Sequence, residues 1–145
     1  MKVDFKNAAQ RHYLDAELLY NNSRWANADQ LYGLSSECVL KQIISGFDPN
    51  SINPLTGDFV AKSPHKKHFE QNVHKDLWNY FSINFAGRLA ANHPLPNNNE
   101  FSDWDIFQRY VHASCIDQQR TEVHRAATIS LQNLLQQLFT DGVIQ

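Results

Sequence analysis

Three arginine–histidine pairs could carry chemistry in this sequence. Arg120 precedes His124 by four residues, with Arg125 beside it; Arg109 precedes His112 by three; Arg88 precedes His93 by five. Histidine titrates near neutral pH and can take the proton of an attacking 2′-hydroxyl. The planar guanidinium fork can bind the dianionic phosphorane that follows. Together the two residue types suit phosphodiester cleavage without a metal. Arg120 falls between Ile116 and Val123, where the seam expects an apolar side chain. A guanidinium there needs a partner, a cleft or a subunit interface. An offset of four residues is about 40° around a helix, so Arg120 and His124 share a side. Arg120 and His124, with Arg88 and His93, are the catalytic candidates. Each pair also fits a solvated helix face, and cations at Arg88 or His93 suit a helix C-terminus.

Other residue types point elsewhere. His65 and His68 could share a metal only with Glu70 or Asp76, so no metal site is expected. His74 and His12 read as partly buried histidines, the former beside Leu77 and Trp78. Lys62, Lys66, Lys67 and Lys75 form a modest basic patch, suited to phosphates or to a solvated helix start. Trp104, Phe107 and Tyr110 read as core anchors, or as base-stacking rings where exposed. Cys38 and Cys115 have no CxxC spacing and are expected as buried free thiols in a reducing compartment. No Gly-rich phosphate loop, GxSxG, HExxH or EF-hand pattern is present.

Few breakers interrupt the chain: five glycines and five prolines in 145 residues point to long helices. Hydrophobic residues make up 42% and charged residues 19%, a globular composition sized for a single domain over 1–145. The net charge of −2 argues against coating nucleic acid through bulk positive charge. No apolar run is long enough for a membrane span, and Met1–Lys6 lacks a secretory core, so a cytoplasmic protein is expected.

Apolar spacings of three and four place a first helix over about 4–21 and a second over about 24–45, capped by Ser23 and ended by Gly46. The loop at 47–63 is followed by Ser63-Pro64, which predicts a third helix reaching about Asn92, before Pro94. Ser102 or Asp103 caps a short helix starting at Trp104, and the last helix runs from Ser114 or Asp117 to Thr140. The expectation is an all-α, up-and-down bundle of four long helices, with a short extra helix before the last.

Local wording adds a family likeness. Ala8-Ala9 and Asp15-Ala16-Glu17-Leu18-Leu19 stand in the first helix, and Trp25-Ala26-Asn27-Ala28 with Leu34-Ser35-Ser36-Glu37-Cys38-Val39-Leu40-Lys41 in the second. His74-Lys75-Asp76-Leu77 and Trp104-Asp105-Ile106-Phe107-Gln108-Arg109-Tyr110 follow in order. In this order and wording the chain resembles the HEPN family of small helical bundles. The resemblance implies a nucleotide- or RNA-associated binding or interaction protein without robust catalysis. Its alternatives are a metal-independent, toxin-like endoribonuclease and a structural partner of a nucleotidyltransferase-type protein. It also implies a homodimer whose paired motifs line a shared cleft, with no cofactor. Catalytic members place a histidine several residues after an arginine near the last helix. Here that spacing occurs only at Arg88-Leu89-Ala90-Ala91-Asn92-His93, and the Arg109/His112 and Arg120/His124 pairs are shorter. Arg109, His112, Arg125 and Lys41 are the phosphate- or ligand-binding candidates.

Overall fold

Asp4 starts the first helix: its side-chain oxygen accepts from the Asn7 amide at 2.9 Å, supplying one partner the helix end lacks. The structure is a computed structural model that describes residues 1–89 and 91–145. Helix α1 spans Phe5–Asn21 and α2 spans Trp25–Phe47. Helix α3 covers only Leu77–Asn84, and α4 covers Gln118–Thr140. Short 3-10 turns stand at Pro49–Ser51, Ala86–Arg88, Ile106–Tyr110 and Ala113–Cys115. The class is all-α; among the described residues the β-structure is one isolated bridge, Ile52 to Phe59.

Helix senses follow from the cross-helix hydrogen bonds. Ser35 Oγ donates to the Ala9 carbonyl at 2.8 Å and Tyr32 OH to Glu17 Oε1 at 2.6 Å, so α1 and α2 run antiparallel. Ser36 and Thr128 hydroxyls meet at 2.9 Å, and Thr121 Oγ1 reaches the Trp25 carbonyl at 3.3 Å, so α2 and α4 run parallel. These are the senses of an up-and-down bundle. Because α3 is short, α4 packs directly on α2, which becomes the central helix.

That central position explains the composition of α2. Ala28, Gly33, Ser35 and Ser36 are buried and small, letting neighbouring backbones come close. A Cβ on Gly33 would fall inside the Trp104 indole, which lies flat on this point of the helix. The core continues through Val39, Leu40, Ile43 and Ile44 to Phe69, Phe81, Leu131 and Leu138. Ile144 folds back over Gly46, where a Cβ would stand 2.7 Å from it.

Several boundaries differ from the sequence expectation. Ser23 does not cap α2; it takes the left-handed conformation, φ 57°, and Arg24 precedes the helix with no side-chain cap. Gly46 lies within α2, which ends one residue later. Asp105, not Ser102 or Asp103, caps the short turn before the last helix, and Asp117 caps α4. The expected third helix over 64–92 forms only at 77–84; Ala90, within that stretch, lies outside the described residues. Polar side chains take the backbone groups that a longer helix would use. Ser63 Oγ accepts from His65 N, Glu37 Oε2 from Phe69 N, and Asp76 Oδ1 from Glu70 N, while Asp76 Oδ2 caps α3 through Asn79 N. His74 is exposed rather than packed beside Trp78, and Cys115 is exposed rather than buried.

Candidate functional site

Asp29 sits in the second turn of α2 with no solvent exposure. A bare carboxylate there would be very costly, so the fold must bring it donors. Helix α4 supplies His124, whose Nδ1 lies 2.6 Å from Asp29 Oδ1. The turn at 106–110 supplies Gln108, whose Nε2 donates to Asp29 Oδ2 at 2.6 Å. The Trp104 indole N–H donates to the Asp29 backbone carbonyl at 3.0 Å.

His124 is itself sealed. Its Nε2 lies 2.9 Å from Asp103 Oδ1, and the Phe101 ring stacks on the imidazole with centroids 5.2 Å apart. Burial pulls the His124 pKa down, but hydrogen bonds and charge from Asp29, then Asp103, outweigh it, and the net shift is upward. A carboxylate on each nitrogen favours the imidazolium form, which can donate to both. Arg120 closes the outer side. Its Nη2 donates to the Asp103 carbonyl and, at 3.3 Å, to Gln108 Oε1. Its Nε and Nη1 stand 3.9 and 3.8 Å from the Asp29 and Asp103 carboxylates. The seam arginine thus finds its ion-pair partners within the subunit, although its buried Nε makes no hydrogen bond.

An open depression of about 510 Å³ lies over this cluster, lined by Glu100, Ser102, Asp103, Asp117, Gln119, Arg120, Val123 and His124. Its carboxylates outnumber its cations, and both cations already face carboxylates. Such a field repels a phosphate rather than gathering one.

The remaining candidates do not join this cluster. Arg125 grips Glu17 through two bonds, 2.8 and 3.0 Å, and lies over the Tyr20 ring. That guanidinium is the first cause of the lowered Glu17 pKa. Lys41 sits 3.4 Å from both Glu37 and His68. Arg88 is exposed over the Phe85 ring. His93 is buried at the far end of α4, its Nε2 2.6 Å from Asp141 Oδ2. Arg109 and His112 are both exposed: Arg109 lies over Tyr110, and His112 bonds Ser114. Only Arg120 and His124 are brought together, and Asp29, Asp103 and Gln108 surround them. The sequence alone gives none of these three a place in the site. The available signal was Asp29 itself, an acid on the buried face of α2 between Trp25 and Tyr32.

Two further histidines are likewise paired. His65 bonds Tyr80 OH at 2.7 Å and Asp48 at 2.9 Å, and His68 bonds Glu37 at 3.0 Å. Among the described residues, no three His, Cys, Asp or Glu side chains are disposed to hold a metal ion. None of the described helices is long and apolar enough to cross a membrane. No family model, curated protein or solved structure matches this chain.

Proposed function

We propose that this chain is a HEPN-like binding and interaction domain without robust catalysis of its own. The observation that carries this reading is the state of His124. Both ring nitrogens face carboxylates at hydrogen-bond distance, so neither is free beside Arg120 to take a proton from a 2′-hydroxyl. Arg120 is held by Asp103 and Gln108 through Nη2 and faces the Asp29 and Asp103 carboxylates. The residues best suited to chemistry hold α2, α4 and the 101–110 segment together, while binding is left to the outer surface. The partners that suit the HEPN likeness are RNA or a nucleotide, a nucleotidyltransferase-type protein, and a second copy of the chain.

The test is direct. Single-stranded RNA incubated with the chain in EDTA should stay intact. Products with 2′,3′-cyclic phosphate ends, lost in a His124→Ala variant that keeps its helical circular dichroism, would replace this reading with the ribonuclease one.

A further inference from the structure

The turn at Ile106–Tyr110 sorts its side chains to two sides. Ile106 packs against the core, and Gln108 is buried with its amide on Asp29. Asp105 fixes the start of the turn by accepting from Phe107 N at 2.7 Å. Phe107 and Tyr110 are turned out, 66% and 72% exposed, and Val111 beside them is 45% exposed. The two rings stand 6.5 Å apart. The Arg109 guanidinium lies 4.8 Å from the centre of the Tyr110 ring. Arg109 has no ion pair with any other described residue.

We propose that this turn docks an apolar segment of another protein that bears one carboxylate beside its anchoring side chain. The apolar side chain rests on the Phe107 and Tyr110 rings, and the carboxylate meets Arg109. The proposal rests on reading the chain as an interaction domain and says which face does the work. Aromatic residues and arginine are the types that dominate protein interfaces. The turn is held from beneath through Gln108 and Asp105, so little freedom is lost when a partner seats on it. Charge matches one carboxylate better than a nucleic-acid strand. A phosphate chain needs a track of cations. Arg109 is the only lysine or arginine between residues 100 and 117, a stretch that also holds Glu100, Asp103, Asp105 and Asp117.

The test titrates the ¹⁵N-labelled full chain with three probes. The first is a capped amphipathic peptide with two leucines at i,i+4 and one glutamate next to them. The second is its lysine-for-glutamate twin, and the third is a uridine oligonucleotide. Saturable shifts at the amides of 106–111 are expected with the glutamate peptide alone. Arg109→Glu should weaken that binding at least tenfold and transfer preference to the lysine twin. Phe107→Ser with Tyr110→Ser should abolish both, with unchanged circular dichroism because these side chains lie outside the core. Absence of saturable shifts, equal binding of the two peptides, or shifts at 106–111 caused by the oligonucleotide would overturn the proposal. So would shifts there that follow protein concentration alone and accompany a dimeric mass by light scattering. Peptide binding mapped to another face overturns this docking surface and leaves the interaction-domain reading standing. RNA cleavage in EDTA overturns that reading by a separate route.

Discussion

Asp29→Asn removes one charge from the buried cluster and almost no volume. His124 would keep Asp103 on Nε2 but lose its fully buried counter-charge at 2.6 Å. Breaking one side of a buried ion pair costs about 3–5 kcal/mol. The lower end applies here, because Asp103 remains and the imidazole can shed its proton, so about 3 kcal/mol is expected. A chain of 145 residues unfolds with an entropy of about 0.3 kcal/mol/K, which converts the loss to a Tm lower by about 10 °C. The pH dependence carries a sign. The folded pKa of His124 is raised. Its contribution is therefore complete below the unfolded value of about 6.5 and is lost as pH rises through the higher folded value. In Asp29→Asn this alkaline loss should shrink. Urea unfolding followed by circular dichroism at several pH values measures both effects, with a constant m-value as the control. In a His124→Gln background the same Asp29 change should cost at least about 1 kcal/mol less, since its partner is already gone. A loss under about 0.5 kcal/mol in Asp29→Asn, or strict additivity with His124→Gln, would refute the account of the cluster as a buried ionic lock.

Three further outcomes follow from the packing. Gly33→Ala places a methyl inside the Trp104 indole; the ring must move, and a loss of about 1–3 kcal/mol is expected in the same urea assay, with altered Trp fluorescence. Glu17→Gln breaks the two-bond contact with Arg125 and weakens the Tyr32 contact. Because the Glu17 pKa is lowered, its contribution is present above the unfolded carboxylate value and lost as pH falls through the folded one. Acid unfolding of Glu17→Gln should therefore show a weaker pH dependence than the parent. Cys115 is exposed, whereas burial pushes Cys38 up to about 11. A thiol reagent at pH 8 should label one cysteine quickly, and Cys115→Ser should remove that fast phase.

Much of the fold was legible because it obeys simple periodicity. The spacing of Phe5, Ala9 and Ala16 predicts α1, and the stretch from Trp25 to Ile44 predicts α2 to within a few residues. Gly142, at φ 69°, sits just past α4 where a left-handed residue is expected. The third helix is shorter than its periodicity predicts for a physical reason. Residues 64–76 carry polar groups whose partners are remote in sequence: Asp48, Glu37 and Tyr80 bind His65, His68 and the Phe69 amide. Periodicity is blind to such tertiary competition for the backbone. The same blindness applies to Phe107 and Tyr110. Their spacing suits a buried helical face, but in a 3-10 turn pinned by Gln108 it throws them outward.

The site was half legible for a related reason. Arg120 announced that the α4 seam needed an answer, and His124 stood beside it. The answer lay on α2, because an acid at Asp29 has meaning only once α4 is known to run parallel to α2 at that height. The polar residues along this contact then acquire a common role. Asp29 meets His124, the Tyr32 carbonyl and Ser36 meet Thr128, and the Trp25 carbonyl meets Thr121. Apolar surfaces tolerate sliding by a helical turn, since one leucine replaces another. These pairs do not: a slip of four residues along α4 sets Asp29 against Arg120 or Thr128 and leaves His124 facing the wrong turn of α2. Buried polar contacts add little net stability, but each mismatched register would strand a buried charge. The arginine and histidine that look catalytic in the sequence thus fix the register of α4 on α2.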